Sequence, residues 1–467
     1  MADRKEFDLV VLGAGPGGYV AAIKAAQGGL KVALIEKEYM GGTCLNVGCI
    51  PTKTLINHAE VLHQIKKADE FGISVKDVSF DFEKIKNRKD SVLKNIRNSL
   101  EGLIKANQIT ILKGKGTFVG PKELKVQGED NLIVKAKKVI IATGSSPMDI
   151  PAFPCDHKKI LNSSSVLELT KLPKKIAIVG GGYIGCEFAS LYKAFGVEVV
   201  ILEALPAILM TQPKIIQDQM TKIFIDNGIE IRCDVLVEKI DSLSNGVKIH
   251  LKGGEMVDAD LALISVGRAI NTKDMGLEKT GIDIHEKGWI ITDDRMRTNV
   301  DDIYAIGDVT GKFMLAHVAS HQGIVAAQNA LGQKAMMHYE AVPAVIFTHP
   351  EVATVGLSIE EAKEKGYQAE LGSFPFAALG KAQATGDTVG FAQIVIDSKT
   401  GQVLGAQTIG KEASSLIAEM ALAIHNELTV ECIFDTIHAH PTLPEAWMEA
   451  ALIANGTPIH FPPKRVK

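Results

Sequence analysis

The sequence predicts an α/β fold made of two repeated strand–turn–helix–strand units, followed by a C-terminal α+β region. Three observations lead to this prediction. With 467 residues the chain is too long for one core, and about 150 residues per domain suggests roughly three domains. Two glycine-rich turns recur at a fixed offset between apolar strands. Near the C-terminus, the stretches FAQIVID and VLGAQTIG predict antiparallel strands, with helices from residue 412 onward.

The first unit reads FDLVVLGAGPGGYVAAIKAAQGGLKVALIEK. A buried strand enters a turn with Gly13, Gly15 and Gly18 in GxGxxG spacing, a helix follows, and Glu36 closes a second strand. The glycines permit a tight turn, the helix N-terminus faces a pyrophosphate, and the acid accepts hydrogen bonds from ribose hydroxyls. The unit therefore predicts a Rossmann-like dinucleotide-binding domain.

The second unit repeats the pattern in KKIAIVGGGYIGCEFASLYKAFGVEVVILEA, with Gly180, Gly182, Gly185 and the strand-terminal Glu203. Glycines and acid keep the same offset of 167 residues in both copies, which makes coincidence a poor explanation. Two dinucleotides in one chain indicate an electron relay, with a flavin held permanently and a nicotinamide exchanging. Glu203 would repel a 2′-phosphate and no basic residue follows it before Lys214, so NAD is favoured over NADP.

Two of the six cysteines lie five positions apart in GGTCLNVGCIPTK. A regular helix would turn Cys44 and Cys49 about 140° apart, so Gly48 and Pro51 predict an irregular turn leading into a helix over PTKTLINHAEVLHQIKKADEFG, with proline near its start and Gly72 at its end. The positive end of that helix and nearby Lys53 would favour thiolate. The other cysteines, at 155, 186, 233 and 432, are scattered, which disfavours zinc, and a structural disulfide is disfavoured in a reducing compartment. A redox-active dithiol remains.

The segment IFDTIHAHPTLPEAWMEA supplies His438, His440 and Glu445, with prolines between the second histidine and the acid. A histidine oriented by a carboxylate can take and return a proton near neutral pH, as thiol deprotonation requires. A loop with histidines chosen for packing is the alternative for either residue alone. The chemistry of the residues does not choose between the two histidines.

Composition excludes several classes of function. The chain is 46% hydrophobic and 23% charged with a net charge of −4, which gives no reason to expect nucleic acid or an anionic membrane as partner. Its longest apolar run, 176–186, is shorter than the roughly 20 residues of a membrane helix. The opening MADRKEFDLVVLG does not read as a signal peptide. We therefore expect a cytoplasmic protein without membrane insertion.

Taken together, these motifs resemble those of the dihydrolipoamide dehydrogenases, within the class I pyridine nucleotide-disulfide oxidoreductases. The resemblance covers the whole chain and extends to four further stretches: ATG at 142–144, SVGR at 265–268, TNVDDIYAIGDVTG at 298–311 and FTHPEVATVGL at 347–357. It implies a homodimeric flavoprotein that uses FAD and NAD to oxidise protein-bound dihydrolipoamide. It also implies partners: lipoyl-bearing domains and the acyltransferase core of 2-oxo acid dehydrogenase complexes, or the glycine cleavage system.

The resemblance also implies roles for individual residues. Cys44 would exchange with substrate and Cys49 contact the flavin, while His440 as base and Glu445 as its orienter would come from the partner subunit. Lys53 would pair with Glu187 near the flavin ring. No metal ligands are expected. Together, motifs and resemblance assign Gly13, Gly15, Gly18, Glu36, Lys53, Thr143, Gly144, Asp308 and Ala316 to FAD, and Gly180, Gly182, Gly185, Glu187, Glu203 and Gly267 to NAD.

The same reading divides the chain into four segments. These are an FAD-binding domain with the cysteine pair at 1–148, an NAD-binding domain at 149–271, a return segment completing the FAD domain at 272–342, and a C-terminal dimerisation domain at 343–467. Ala269, Ile270 and Lys381 depart from the commonest family pattern, as does HVASHQG at 317–323. Three alternatives are weighed. Reductases of glutathione-like disulfides are disfavoured by Glu203 and HAHPTLPE, mercuric reductase by the missing C-terminal cysteine pair, and a flavin-bound scaffold with idle cysteines remains to be tested.

Overall fold

A computed structural model describes residues 3–462. Contacts along the chain divide it into two compact units, each formed from separate stretches of sequence. Within the described residues, the first unit comprises 3–180, 192–204 and 235–337, and the second comprises 181–191, 205–234 and 338–462.

The first part of the chain contains six strands and four helices. They are β1 (Asp3–Leu12), α1 (Pro16–Gln27), β2 (Val32–Glu36), α2 (Gly42–Val47), α3 (Cys49–Lys66), α4 (Phe82–Ala106), β3 (Thr110–Gly120), β4 (Glu123–Gly128), β5 (Asn131–Ile141) and β6 (Ser145–Pro147).

The middle of the chain continues with β7 (Ile160–Asn162), β8 (Lys175–Val179), α5 (Tyr183–Ala194), β9 (Glu198–Leu202), α6 (Lys214–Asp226), β10 (Glu230–Arg232), β11 (Val237–Leu243), β12 (Gly246–Leu251), β13 (Met256–Ala259), β14 (Leu261–Ile264) and β15 (Arg268–Ile270).

The last part contains β16 (Ile303–Ala305), α7 (Ala316–Ala330), β17 (Ala344–Ile346), β18 (Glu351–Gly356), α8 (Ile359–Glu364), β19 (Ala369–Pro375), α9 (Gly380–Thr385), β20 (Phe391–Asp397), β21 (Val403–Gly410), α10 (Ala413–His425), α11 (Val430–Asp435) and α12 (Glu445–Ala454). Short 3₁₀ helices occur at Ala68–Phe71, Ser165–Glu168, Leu277–Lys279, Gly307–Thr310 and Phe376–Ala378.

The first sheet carries the first glycine turn. Strands β3, β2, β1, β5 and β16 lie side by side and parallel, while β4 joins β3 and β5 as an antiparallel ribbon. Leu9, Val10 and Val11 at its centre are fully buried. A parallel sheet covered on both faces requires such a continuous apolar run, which is why the first strand reads as LVVL.

The second glycine turn follows β8 in another parallel sheet, which contains β9, β8, β14 and β7 in that order. The antiparallel meander β11, β12 and β13 shares its apolar core. Strands β6 and β15 form a separate two-stranded ribbon, which brings residues 145–147 against 268–270. The predicted repeat of two Rossmann-like units is therefore present.

The C-terminal region has an antiparallel sheet in the order β17, β18, β21, β20, β19, with α10 and α12 packed against it. Trp447 of α12 is fully buried and its indole donates a hydrogen bond to the Leu416 carbonyl at 3.1 Å. The sequence prediction of antiparallel strands followed by helices is confirmed, and with it the α+β class of this region. Among residues 3–462, no helix combines the length and apolar character that crossing a bilayer requires.

Candidate active site

The first glycine turn is closed on one side and open on the other. Gly13 has φ +102°, and a Cβ there would lie 2.4 Å from the Ala142 carbonyl oxygen. A Cβ at Gly18 would lie 1.8 Å from the Gly13 oxygen, whereas a Cβ at Gly15 would have no neighbouring atom within 4 Å. Within the described chain, the α1 N-terminus has no side-chain cap and no acidic residue in its first turn. Such an N-terminus fits the pyrophosphate of a dinucleotide.

The acid of the first unit is fixed beside this turn. Glu36 ends β2 and accepts hydrogen bonds from the backbone N–H groups of Ala14 at 2.7 Å and Glu38 at 2.9 Å. Burial raises the pKa of Glu36 above its usual value, while these hydrogen bonds act against the rise. The carboxylate is therefore held in place by the turn that it serves.

The second turn repeats this backbone. Gly180 has φ +103°, and a Cβ there would lie 2.6 Å from the Ser265 carbonyl oxygen. A Cβ at Gly182 would have no neighbouring atom within 4 Å, and Gly185 lies in the first turn of α5. Glu203 is buried directly after β9, as the sequence predicts.

Two further residues assigned to NAD have defined surroundings. Gly267 has φ +130°, and its carbonyl accepts a hydrogen bond from the Met148 N–H at 3.1 Å. Glu187 on α5 is buried and accepts a hydrogen bond from the Phe347 N–H at 3.0 Å. Its carboxylate therefore takes part in the packing of its own unit.

The cysteine pair lies at a break between two helices. Cys44 belongs to α2 and Cys49 is the first residue of α3, with Gly48 at φ −146° and ψ −112° between them. The predicted irregular turn is thus confirmed, but the helix expected from Pro51 to Gly72 begins at Cys49 and ends at Lys66. Gly72 instead follows the short 3₁₀ helix. The helix starts earlier because Pro51 is tolerated in a first turn, where its missing N–H is not needed.

The two thiols interact directly. Cys44 shares a hydrogen bond with the Cys49 side chain, which together with burial raises the pKa of Cys44 far above its usual value. The charge of Lys53, one turn into α3, and the Cys49 N–H lower it by less. Lys53 and the N-terminus of α3 thus act toward thiolate as expected, while the hydrogen bond between the thiols and burial act more strongly in the opposite direction on Cys44.

The glycine turn and the cysteine helix are in contact. The Gly41 N–H donates a hydrogen bond to the Ala14 carbonyl at 2.9 Å. A Cβ at Gly42, where φ is +57°, would lie 2.7 Å from the Gly15 Cα. The backbone carrying Cys44 is thus seated on the backbone proposed to bind a pyrophosphate. On the other side of α1, Gly17 packs against the Ala319 carbonyl of α7, the helix that begins at Ala316.

Asp308 belongs to a polar cluster that joins distant parts of the chain. The Ser145 hydroxyl donates to Asp308 Oδ2 and accepts from Arg268 Nε at 2.6 Å. Arg268 also donates to the Ser145 carbonyl at 2.7 Å and lies 3.8 Å from Asp308. The Asp308 side chain therefore interacts with both Ser145 and Arg268.

Burial lowers the pKa of the Arg268 guanidinium, while the charges of Asp308 and Cys49 act against this shift. Sequence reasoning missed Arg268 and Ser145 as site residues, although both lie within or beside the quoted SVGR and ATG stretches. Pairing of β6 with β15 brings them together. Ala269 and Ile270, noted as departures, are strand residues of that ribbon.

Thr143 and Gly144 lie just before this ribbon and bind Asn271. The Thr143 hydroxyl donates to the Asn271 carbonyl at 2.8 Å, and the Asn271 amide donates back to the Thr143 carbonyl at 2.9 Å. The Gly144 carbonyl accepts from the Asn271 N–H at 3.0 Å. These bonds fix the chain beside the first turn, where the sequence analysis expects FAD.

In the C-terminal region, His440 and Glu445 form a hydrogen-bonded pair. His440 Nδ1 lies 2.8 Å from Glu445 Oε1, and Glu445 Oε2 accepts the Thr442 N–H at 2.7 Å. Burial works to raise the pKa of Glu445, but the Thr442 and His440 hydrogen bonds outweigh it and hold that pKa below its usual value. The imidazole is 76% exposed, so its Nε2 can reach a substrate.

His438 has a different environment. Its side chain is only 5% exposed, and its two ring nitrogens lie 2.8 Å from the Thr436 carbonyl and 3.0 Å from a Glu419 carboxylate oxygen. The Glu419 hydrogen bond raises the pKa of His438. With both nitrogens engaged, His438 cannot exchange protons with a substrate. The structure therefore separates the two histidines that sequence chemistry leaves equivalent, because His440 is exposed and His438 is buried.

Within residues 3–462, no group of three or more His, Cys, Asp or Glu side chains is arranged to hold a metal ion. The structure shows three separate features: a dithiol seated on the first glycine turn, a second such turn with an acid that suits a ribose, and a histidine–carboxylate pair in the C-terminal region. By its own chemistry a dithiol can exchange with a disulfide, and a histidine bound to a carboxylate can take and return a proton.

Comparison with protein families gives two matches that together cover most of the chain. Residues 7–323 match the family described as pyridine nucleotide-disulphide oxidoreductase. Residues 342–451 match the dimerisation domain of the same family.

Curated relatives are similar over nearly the full length. The chain is 51% identical to the dihydrolipoyl dehydrogenase of Chlamydia pneumoniae, over 98% of this chain and 99% of that protein. It is 43% identical to the dihydrolipoyl dehydrogenase of Bacillus subtilis, over 98% of both chains. Among solved structures, LpdA from Mycobacterium tuberculosis has a TM-score of 0.90 at 27% identity, covering 96% of this chain and 98% of its own.

Proposed function

Because the chain belongs to the pyridine nucleotide-disulphide oxidoreductase family, we propose that it oxidises protein-bound dihydrolipoamide to lipoamide and reduces NAD⁺ to NADH. The predicted fold class, family and type of enzyme are confirmed: the chain is an FAD-containing, NAD-dependent disulfide oxidoreductase. The observation that carries the proposal is the Cys44–Cys49 pair seated on the first dinucleotide turn.

Both cofactors fit the residues present. Gly13, Gly15, Gly18 and Glu36 would hold the FAD pyrophosphate and ribose, because the turn is open at Gly15 and the acid is fixed beside it. Gly180, Gly182, Gly185 and Glu203 would hold NAD in the same way, and Gly267 and Glu187 belong to this part of the proposal. When bound, FAD supplies the path by which two electrons pass from the dithiol to NAD⁺ as hydride.

The remaining residues assigned to FAD follow the polar cluster and the helices around the first turn. We assign the ribityl hydroxyls to Asp308, whose Oδ2 is taken by Ser145, leaving its other oxygen to accept from the cofactor. Thr143 and Gly144 are positioned by Asn271, Ala316 begins the helix that packs on α1, and Lys53 places a positive charge near the pair. Lys53 is further proposed to pair with Glu187.

The thiol steps are assigned as follows. His440, held at Nδ1 by Glu445, takes the proton of one dihydrolipoyl thiol at Nε2. The resulting thiolate attacks Cys44 of the Cys44–Cys49 disulfide, a substrate–Cys44 disulfide forms, and Cys49 leaves as thiolate. The second substrate thiol then attacks the substrate sulfur of that bond. Lipoamide is released as the Cys44 sulfur leaves and takes up the proton of the second substrate thiol, so the reduced pair holds one proton and His440 holds the other.

Two family properties belong to this proposal. We propose that the chain is a homodimer, for which the dimerisation domain gives support, and that the His440–Glu445 pair of one subunit serves the cysteines of the other. The proposed partners are lipoyl-bearing domains and the acyltransferase core of 2-oxo acid dehydrogenase complexes or the glycine cleavage system, in the cytoplasm. The segment boundaries at residues 148, 271 and 342 belong to the proposal as well.

The direct test measures NADH formation from dihydrolipoamide by the FAD-loaded protein. Cys44→Ser is expected to lower kcat by about 10³-fold or more, because the attacked sulfur is lost. Oxidation of NADH by ferricyanide, which bypasses the dithiol, is expected to continue. Cys432→Ser, at an exposed cysteine, is the matched control. Full dihydrolipoamide turnover in Cys44→Ser would leave the flavin-bound scaffold with idle cysteines as the better explanation.

A heterodimer test addresses the exchange of residues between subunits. A Cys44→Ser chain and a His440→Gln chain are each expected to be inactive as homodimers. If the sites are shared, their heterodimer contains one intact site and recovers about half of the wild-type rate per dimer. No recovery would show that cysteines and histidine of one site come from one chain.

A further inference from the structure

A second histidine–carboxylate pair lies on the helix that carries Glu445. Glu449 follows Glu445 by four residues on α12, and its side chain is only 4% exposed. Its Oε1 lies 2.6 Å from Nδ1 of His460, and its Oε2 accepts the His460 N–H at 3.4 Å. An ionised carboxylate this deeply buried requires a partner, and His460 supplies it.

The two pairs have the same construction. In each, a glutamate of α12 binds Nδ1 of an imidazole from a neighbouring loop through Oε1. Both imidazoles are largely exposed, His440 at 76% and His460 at 70%. Because residues four apart lie on one face of a helix, the two carboxylates face the same side of α12. The mechanism uses the first pair and leaves the second without a role.

Several charged groups lie around the Glu449–His460 pair. The Glu449 hydrogen bond is the main cause that raises the pKa of His460, and Glu445 adds to the rise. His438 and His440 in turn act on Glu445. On α10, whose Leu416 carbonyl accepts from Trp447 of α12, Glu419 is bound by His438 and His425 is exposed. On the other elements packed against α12, the charged residues are Glu370 of β19, Asp397 of β20, and Glu431 and Asp435 of α11. Asp397 accepts hydrogen bonds from its own turn, and the other three are exposed.

We propose that His460, held by Glu449, is a positioning residue of the thiol-oxidising site, whose positive charge acts on Glu445 and so sets the proton affinity of His440. The proposal rests on the proposed function. A protonated His460 near Glu445 offsets part of the negative charge that stabilises imidazolium at His440. His440 then binds its proton less tightly, so that a larger fraction is available as base near neutral pH.

The test compares pH profiles of kcat/KM for dihydrolipoamide in the FAD-loaded dimer. In His460→Gln the charge is lost, and the acidic limb of the profile is expected to move upward by about 0.2 to 0.7 pH unit. His460→Lys restores a positive charge next to Glu449 and is expected to return the profile toward that of the wild type. His157→Gln, at an exposed histidine of the other unit, is the control.

The outcomes separate cleanly. An unmoved profile in His460→Gln overturns the inference, and equal displacement in both His460 variants also overturns it, since packing rather than charge would be responsible. NADH oxidation by ferricyanide is expected to stay unchanged in both variants. A wild-type protein that forms no NADH from dihydrolipoamide at any pH overturns the proposed function itself, and the inference with it.

Discussion

The two glycine turns have the same backbone, but the segments that pack against them have different side chains. Gly13 and Gly180 have φ values of +102° and +103°, and in each case a Cβ would strike the carbonyl oxygen of the residue that follows a neighbouring strand. In both copies the chain returns over the turn after the acid. The Gly41 N–H binds the Ala14 carbonyl at 2.9 Å, and the Leu209 N–H binds the Gly181 carbonyl at 2.8 Å.

The returning segments differ in their side chains. The first has glycines at positions 41 and 42, which allow the backbone to touch Gly15, and then delivers Cys44. The second has Ile208 and Leu209, both buried, and no cysteine before residue 233. Both glycine turns have a backbone that suits a dinucleotide. They differ in the segment that packs against each turn, and only the first of these segments carries a cysteine. This difference accounts for a dithiol at one nucleotide only.

Among changes to the two turns, the largest effect is expected when a Cβ is introduced into one turn at a time. Gly13→Ala forces a Cβ into a left-handed backbone at 2.4 Å from a carbonyl oxygen, which we expect to weaken FAD retention by at least about 10-fold. Gly180→Ala introduces the same strain, yet it is expected to raise KM for NAD while FAD stays bound. Flavin fluorescence and steady-state kinetics measure the two results. Equal loss of FAD in both variants would contradict the separate assignment.

A second variant tests the contact that seats the cysteines. Gly42→Ala places a Cβ 2.7 Å from the Gly15 Cα, so the cysteine helix must shift away from the turn. We expect a loss of about 10-fold in dihydrolipoamide turnover, with a smaller loss in NADH oxidation by ferricyanide. Leu209→Ala, at the comparable place of the second turn, is expected to spare the ratio of the two activities. A parallel fall of both activities in Gly42→Ala would refute the seating argument.

Cofactor choice gives an effect of comparable size. Glu203→Ala removes the carboxylate proposed to bind the ribose and to repel a 2′-phosphate, so the preference for NADH over NADPH is expected to fall by about 10-fold. Glu36→Ala is expected to weaken FAD without changing this preference. Michaelis constants for both nicotinamides decide the matter. An unchanged preference in Glu203→Ala would mean that another residue discriminates.

The smallest expected effect concerns the His440–Glu445 pair, which belongs to neither turn. The folded protein holds the pKa of Glu445 below its ordinary value of 4.5, so its contribution to stability is present above about pH 4.5 and is lost as pH falls through the depressed pKa. The difference in urea stability between wild type and Glu445→Gln is therefore expected to shrink toward zero on acidification. A difference that grows at low pH would give the shift the opposite sign.

Local patterns were sufficient for the repeated units. Glycines at fixed spacing, a continuous apolar strand and an acid at its end are set by backbone geometry within about 30 residues, so both turns follow from sequence. The cysteine pair was recognisable for the same reason, since Gly48 had to break any helix between its members. The start of α3 was missed because a proline in a first turn leaves several starting residues open.

The sequence by itself determined which residues are proposed to bear the chemistry: the two glycine turns, their acids, the dithiol and a histidine next to a glutamate. Tertiary structure alone decided which side chains complete the site. Arg268 and Ser145 reach Asp308 only because β6 pairs with β15, and His438 differs from His440 through its burial and its contacts with Thr436 and Glu419. The physical reason is that hydrogen-bond partners far apart in the chain leave no periodic trace in it, whereas backbone turns do.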